Sequence, residues 1–180
     1  QDMDRPYAYV ARARYRDNYA RGMDIIDLSD PANPELLLRW VNENDDLNTG
    51  VGALDIKYFK YASRVYVVLS TQFGQGPDHD LGAVIFDVTG LPDASTVKEV
   101  ARIREPEMPG GFHNIFIYQH SNGTPYLIST VRGPGAHMYD LSKVVTGDVA
   151  NALAGNVPIP GDKNVRRAYH DFYAAWHPDS

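Results

Sequence analysis

The sequence predicts an all-β protein: a β-propeller-like array of about three four-stranded antiparallel blades, with the first and last blades incomplete. A short phrase that opens with glycine and closes with aspartate and an aliphatic residue occurs at Gly22–Leu28, Gly82–Val88 and Gly135–Leu141. The copies begin 60 and 53 residues apart. A repeat of this length is typical of propeller blades and related arrays.

A second series of similar segments supports the same period. Leu54–Phe59, His113–Tyr118 and His170–Ala175 resemble one another and begin 59 and 57 residues apart. Because two independent series give nearly one period, we infer a genuine structural repeat, with this second series as the innermost strand of each blade.

The remaining strands follow from composition. Pro6–Ala11, Arg64–Thr71 and Pro125–Thr130 are rich in β-branched and aromatic residues and lie just before the phrase, so they predict the second strand of each blade. Pro34–Val41 and Val97–Arg104 follow the phrase as a fourth strand. The second of them alternates, which favours a half-exposed outer position. After the third phrase, residues 149–161 predict an irregular loop with at most one helical turn and one short edge strand.

The blade units are approximately 1–48, 49–110 and 111–168, and residues 169–180 begin a further blade. The first unit has no counterpart of Leu54–Phe59, and the last consists of that strand alone. Propellers usually have four to eight blades. We therefore expect either a segment of a longer protein or a chain that completes its ring with another copy or other protein subunits.

One stretch resembles a known family. Asp24-Ile25-Ile26-Asp27 leads into Ser29-Asp30-Pro31-Ala32-Asn33-Pro34 after a Tyr-Ala-Tyr-Val strand. This pattern resembles the LVIVD-repeat family of bacterial exported β-propellers, most closely over residues 5–40. In the later copies Thr89–Asp93 and Ser142–Val145 replace the turn. The resemblance implies a propeller fold and no general activity.

Composition excludes several classes of protein. The formal net charge is −6, which argues against nucleic-acid or anionic-membrane partners, and no apolar run is long enough to span a bilayer. The chain has no cysteine, so thiolate chemistry is excluded. It starts at Gln1 and contains 12 tyrosines, from which we expect an extracytoplasmic location, periplasmic or secreted. The basic cluster Arg12, Arg14, Arg16 and Arg21 predicts a solvated strand face and turn.

His113 and His170 are the candidate metal ligands. They start equivalent innermost strands, where two imidazoles can converge on a divalent metal in a central channel, but a metal needs three or four ligands and Leu54 holds the third equivalent position. The alternative is that both histidines bond to backbone at the channel mouth. His177 is seven residues from His170, roughly 23 Å along a strand, and so cannot share its site unless the chain turns back.

The other candidates have structural interpretations. Asp27, Asp87 and Asp140 end every copy of the phrase, so we interpret them as turn anchors. The acidic groups Asn44–Asp46 and Asp78–Asp80 suggest calcium ligation or, preferably, solvated loops. Tyr58, Phe116 and Tyr173 form a weaker sugar- or small-ligand-binding hypothesis.

No complete catalytic constellation or cofactor motif occurs in the sequence. The leading hypothesis is thus a non-enzymatic structural and protein-interaction module that needs no cofactor. The alternative is a metal-dependent propeller enzyme, a hydrolase or oxidoreductase, that uses His113 and His170.

Overall fold

The computed structural model describes residues 4–14, 20–159 and 169–175. It confirms the all-β prediction, with three antiparallel sheets of three or four strands, each drawn from one continuous stretch of chain. The first sheet contains β1 (Tyr7–Arg12), β2 (Gly22–Asp27) and β3 (Glu35–Val41). The second contains β4 (Gly52–Tyr61), β5 (Arg64–Gln72), β6 (Leu81–Asp87) and β7 (Lys98–Arg104). The third contains β8 (Ile115–Gln119), β9 (Pro125–Thr130), β10 (Gly135–Asp140) and β11 (Leu153–Pro158).

The repeated phrase forms the same strand in every sheet, namely β2, β6 and β10. Each of these strands pairs with the strand before it so that a tyrosine lies opposite the terminal aspartate. The pairs are Tyr7 with Asp27, Tyr66 with Asp87 and Tyr126 with Asp140. The three sheets therefore share one register, although their loops differ in length.

The second sheet is packed on both of its faces. On one face Val67 and Phe86 belong to a core cluster shared with the first sheet. On the other face Val68 and Ile85 belong to a cluster shared with the third sheet. Every residue of β6 is buried, which explains its continuous apolar sequence, since a strand covered on both faces needs no polar alternation.

Equivalent faces of the first and second sheets point toward the next sheet along the chain. Met23 and Ile25 of β2 face the second sheet, as Ala83 and Ile85 of β6 face the third. Tyr139 of β10 faces back toward the second sheet. Alternation along β10 then places Met138 on the outer face of the third sheet, away from the other two.

Close approach explains the glycine that opens the phrase. A Cβ atom on Gly82 would lie 2.5 Å from the ring of Phe112, which is completely buried. A Cβ on Gly22 would lie 2.0 Å from the carbonyl oxygen of Trp40. Both separations are far below van der Waals contact, so these positions admit only glycine without a shift of the neighbouring chain.

The structure departs from the sequence prediction near the end of the chain. The expected strand over His170–Ala175 is wrong, because residues 169–175 carry no strand. A short helix that was not predicted, α1 (Leu141–Val145), starts at the last residue of the third phrase. Within residues 149–161 the expected edge strand is present as β11, which pairs with β10. Across the described residues, none of the helices has the length and apolar character needed to cross a bilayer.

Candidate functional site

The two histidines selected from the sequence lie against each other beside the third sheet. The rings of His113 and His170 meet at an interplanar angle of 63° with centroids 4.9 Å apart. A second contact of the same kind joins Phe116 of β8 and Tyr173, at 6.2 Å. The segment 169–175 thus runs beside β8 and brings two equivalent positions of the repeat together.

Hydrogen bonds from the backbone and the ring fix His113. Its N–H and that of Asn114 both donate to the hydroxyl oxygen of Thr130, at 2.9 and 3.0 Å. Its Nδ1 lies 2.8 Å from Oε1 of Gln72, the last residue of β5. With that oxygen as acceptor, Nδ1 is the donor, and in a neutral ring Nε2 is then the atom that can ligate a metal.

The backbone arrangement at His113 recurs in the second sheet. There the N–H of Asp55 donates to the hydroxyl oxygen of Ser70 at 2.8 Å, beside an irregularity in the β4 register. The carboxylate of Asp55 also accepts the N–H of Ile115, at 3.1 Å, and so joins β4 to β8. The local backbone is therefore common to both units, whereas the imidazole belongs to the later one.

A cavity of about 670 Å³ opens beside Gln72. Its polar lining comes from Gln72 at the end of β5, from Gln75 and His79 in the connection between β5 and β6, and from Arg132 just after β9. Gly74 and Gly110 contribute bare backbone to the same wall. The cavity thus lies between the ends of two neighbouring sheets, and Gln72 links it to the histidine pair.

The metal hypothesis rests on two imidazoles. Over residues 4–14, 20–159 and 169–175, no three histidine, aspartate or glutamate side chains come together in a way that can hold an ion.

Comparison with known proteins adds no counterpart. No family model, curated protein or solved structure matches this chain. The geometry of the described residues is therefore the whole basis for assigning a function.

The three repeated aspartates act on the turns that follow them. Asp27, Asp87 and Asp140 each accept the N–H two residues further on, at 2.7, 3.0 and 2.9 Å. Asp140 also caps α1 by accepting the N–H of Lys143 at 3.4 Å. For Asp27, the hydrogen bonds from Ser29 lower the carboxyl pKa.

The preferred interpretation of the two acidic groups as solvated loops is wrong for Asp45 and Asp78, which are buried. Asp78 is completely buried and accepts hydrogen bonds from Asn42, Asn48 and Arg104. Burial alone would raise the pKa of this carboxyl, but the donors outweigh burial and lower the pKa to about 2. Asp45 is 4% exposed and pairs with Arg21 at 2.5 Å.

The basic cluster is likewise not a solvated face throughout. Arg21 is 1% exposed, and its guanidinium bonds the carbonyl oxygens of Asn48 and Gly50 besides the carboxylate of Asp45. Arg12 pairs with Asp24 at 2.8 Å. Arg16 lies outside the described residues, as does His177.

Sequence reasoning missed a buried polar cluster between the second and third sheets. Glu105 accepts hydrogen bonds from the hydroxyl of Tyr139 and from Nδ1 of His137. Burial would raise the pKa of the Glu105 carboxyl, but these two donors lower it. Burial and the bond to Glu105 raise the pKa of Tyr139, which keeps its hydroxyl a donor. The available signal was a histidine at a phrase position that holds valine in the preceding copy.

The three aromatic residues of the ligand-binding hypothesis do not form one surface. Tyr58 packs against the core between the first and second sheets. Phe116 and Tyr173 contact each other at the third sheet, and Tyr173 is 88% exposed. The pair that the structure brings together is therefore Phe116 and Tyr173.

Proposed function

We propose that this chain is a non-enzymatic structural and interaction module of the β-propeller type, similar to LVIVD-repeat proteins, that works outside the cytoplasm. Its partner in this proposal is a further sheet of the same repeat, which packs on the outer face of the third sheet. The carrying observation is that the three sheets stack in the same direction and that the outer face of the third sheet carries a row of apolar side chains, Phe116, Ile128 and Met138.

The two ends of the array differ in chemistry. On the outer face of the third sheet, Phe116, Ile128 and Met138 lie side by side across β8, β9 and β10, and each is half-buried. On the outer face of the first sheet, Asp24 accepts from both Arg12 and Arg39, at 2.8 and 2.9 Å. Apolar faces are stabilised by burial, whereas a satisfied ion network tolerates water. The third sheet is therefore the end that favours a further sheet.

The chain itself supports the choice of occupant. The segment 169–175 resembles the innermost strands in sequence and lies on this side of the array, with Tyr173 against Phe116 and His170 against His113. The position of this segment supports a further sheet of the same repeat as the occupant of the outer face.

Substitution of the outer face tests the proposal. The variant Met138→Lys should bind less of a hydrophobic-surface dye than the unsubstituted chain and should reduce any concentration-dependent association seen by sedimentation velocity. The matched control is Met138→Leu, which keeps an apolar side chain at the same position and should alter neither property. Equal dye binding by Met138→Lys and the unsubstituted chain would overturn the proposal.

A divalent-metal site is the second candidate, favoured by the 4.9 Å separation of the His113 and His170 rings. In this alternative the two imidazoles supply two ligands, and the module is an enzyme whose remaining ligands come from outside the described residues. Elemental analysis after dialysis against zinc tests it. Stoichiometric metal that is lost in both His113→Ala and His170→Ala, but kept in His120→Ala, would replace the scaffold proposal.

A further inference from the structure

We infer that the cavity beside Gln72 binds a small organic carboxylate, and that Arg132 pairs with the carboxylate group. The inference goes beyond the scaffold proposal, because the cavity lies at the ends of the second and third sheets and not on the outer face of the array. It rests on the guanidinium of Arg132, the size of the cavity and the hydrogen-bonding side chains that line it.

Arg132 is the key residue because, unlike most arginines in the described ranges, it has no carboxylate partner among the described residues. Most other arginines in the described ranges pair with a carboxylate: Arg12, Arg14, Arg21, Arg39, Arg64, Arg102 and Arg104. Arg132 makes no ion pair with any residue that the structure describes. Its side chain passes Gly110, where an added Cβ would lie 3.0 Å from Cδ of Arg132. A guanidinium presents a planar fork of donors that matches the two oxygens of a carboxylate.

The rest of the wall suits a singly charged organic ligand. Gln75 and His79 add hydrogen-bonding groups, and Val51 adds apolar surface. The described wall residues include no aspartate or glutamate. Asp78 and Asp80, which flank His79, both bond Arg104 instead. The guanidinium of Arg132 therefore lines a space of about 670 Å³, within the size range of small-molecule sites.

A second cavity provides the internal contrast. It measures about 400 Å³ and is lined by Arg64, Asp87 and Lys98 among others. There the arginine already has its carboxylate, since Nε of Arg64 lies 3.1 Å from Oδ2 of Asp87. An anion gains less from an arginine that is already paired, so Arg64 is the matched control for Arg132.

The test is a nuclear magnetic resonance titration of the folded chain with acetate and, separately, inorganic phosphate, at constant ionic strength. Acetate should shift the signals of Gln75 and His79 in a saturable way. The variant Arg132→Gln should weaken acetate binding at least about tenfold, since it removes a charge-assisted pair. Arg64→Gln should bind acetate like the unsubstituted chain.

Three outcomes overturn the inference: absence of saturable shifts, equal acetate binding by Arg132→Gln, or tighter binding of phosphate than of acetate. Arg132→Lys supplies a further measurement, because it keeps the charge and loses the fork. Intermediate binding by this variant supports a two-point contact, whereas full-strength binding contradicts it. Thermal unfolding of each variant establishes that the titrated protein is folded.

Discussion

Arg104 donates a 2.7 Å hydrogen bond to Asp78, whose carboxylate is completely buried. Nδ2 of Asn42 and Nδ2 of Asn48 donate to the other oxygen, at 2.7 and 3.0 Å. These residues come from the connection between β3 and β4, the loop before β6, and the outer strand β7. One carboxylate thus fastens the connection between the first two sheets to the edge of the second.

Removal of this carboxylate should be strongly destabilising. Asp78→Ala leaves two buried amide donors without an acceptor and removes one of the carboxylates that pair with Arg104. We therefore expect a loss of about 3 kcal/mol in the free energy of unfolding. Urea denaturation measures the loss. Asp46→Ala, which changes an exposed residue of the neighbouring acidic loop, should cost little. Equal losses of stability in the two variants would show that the buried hydrogen bonds of Asp78 do not add to the free energy of unfolding.

The same residue should make stability depend on acid. The pKa of Asp78 falls from its ordinary 3.8 to about 2 in the folded chain. A carboxyl with a lowered folded pKa stabilises the fold above its unfolded pKa, and this contribution is lost as the pH falls through the folded pKa. Stability should therefore drop between about pH 4 and pH 2, and Asp78→Asn should flatten the curve in that window. An unchanged slope in Asp78→Asn argues against this linkage.

The Glu105 cluster should behave as a coupled unit. Glu105→Ala leaves the Tyr139 hydroxyl and the His137 ring without their common acceptor, and should cost about 2–4 kcal/mol. Tyr139→Phe removes one donor only and should cost about 1 kcal/mol. Chemical denaturation of the single and double variants gives the coupling energy, which should differ clearly from zero. Additive losses would mean that the two side chains act independently.

Close packing at the phrase glycine gives a steric prediction. Gly82→Ala forces a methyl group against the buried Phe112 ring, and overpacking of this kind costs about 1–3 kcal/mol. The control is Gly155→Ala in β11, where the added Cβ meets only Cε of Met138 at 3.8 Å. Thermal unfolding should separate the two variants, and similar melting temperatures would refute the steric explanation.

The third aspartate of the phrase should act as a helix cap. Asp140→Ala removes the acceptor for the N–H groups of Ser142 and Lys143 and should cost about 1 kcal/mol. Asp140→Asn keeps a capping oxygen and should remain close to the unsubstituted chain. Denaturation midpoints of both variants measure the two losses of stability. Equal losses would mean that the negative charge of Asp140, and not its capping oxygen, stabilises the fold.

The repeat made most of the fold predictable. Strand positions could be predicted from apolar runs that recur with one period. A strand that is buried on both faces, such as β6, is recognisable from its continuous apolar sequence. The end of the chain was harder. His170–Ala175 resembles β8 in sequence, yet a strand needs a neighbour to supply its ladder, and sequence similarity does not provide one.

The site was only partly predictable. The imidazoles of His113 and His170 were selected from their equivalent positions, and the structure brings them into contact. The cavity around Arg132 was not anticipated, because charge compensation depends on which carboxylates come near in space. For the same reason the buried pairing of Arg21 with Asp45 was missed, since 24 residues separate the partners in the chain.

The double burial of the second sheet has a consequence for the dynamics of the chain. Amide protons of Val68 and Ile85, which lie in strands flanked on both sides and covered on both faces, can reach solvent only through unfolding of the whole array. Amides of β3 and β11, which form the outer edges of the first and third sheets, open locally. Hydrogen exchange should therefore run slowest in the middle of the chain and quicken toward both ends, so that the array loosens from its outer sheets inward.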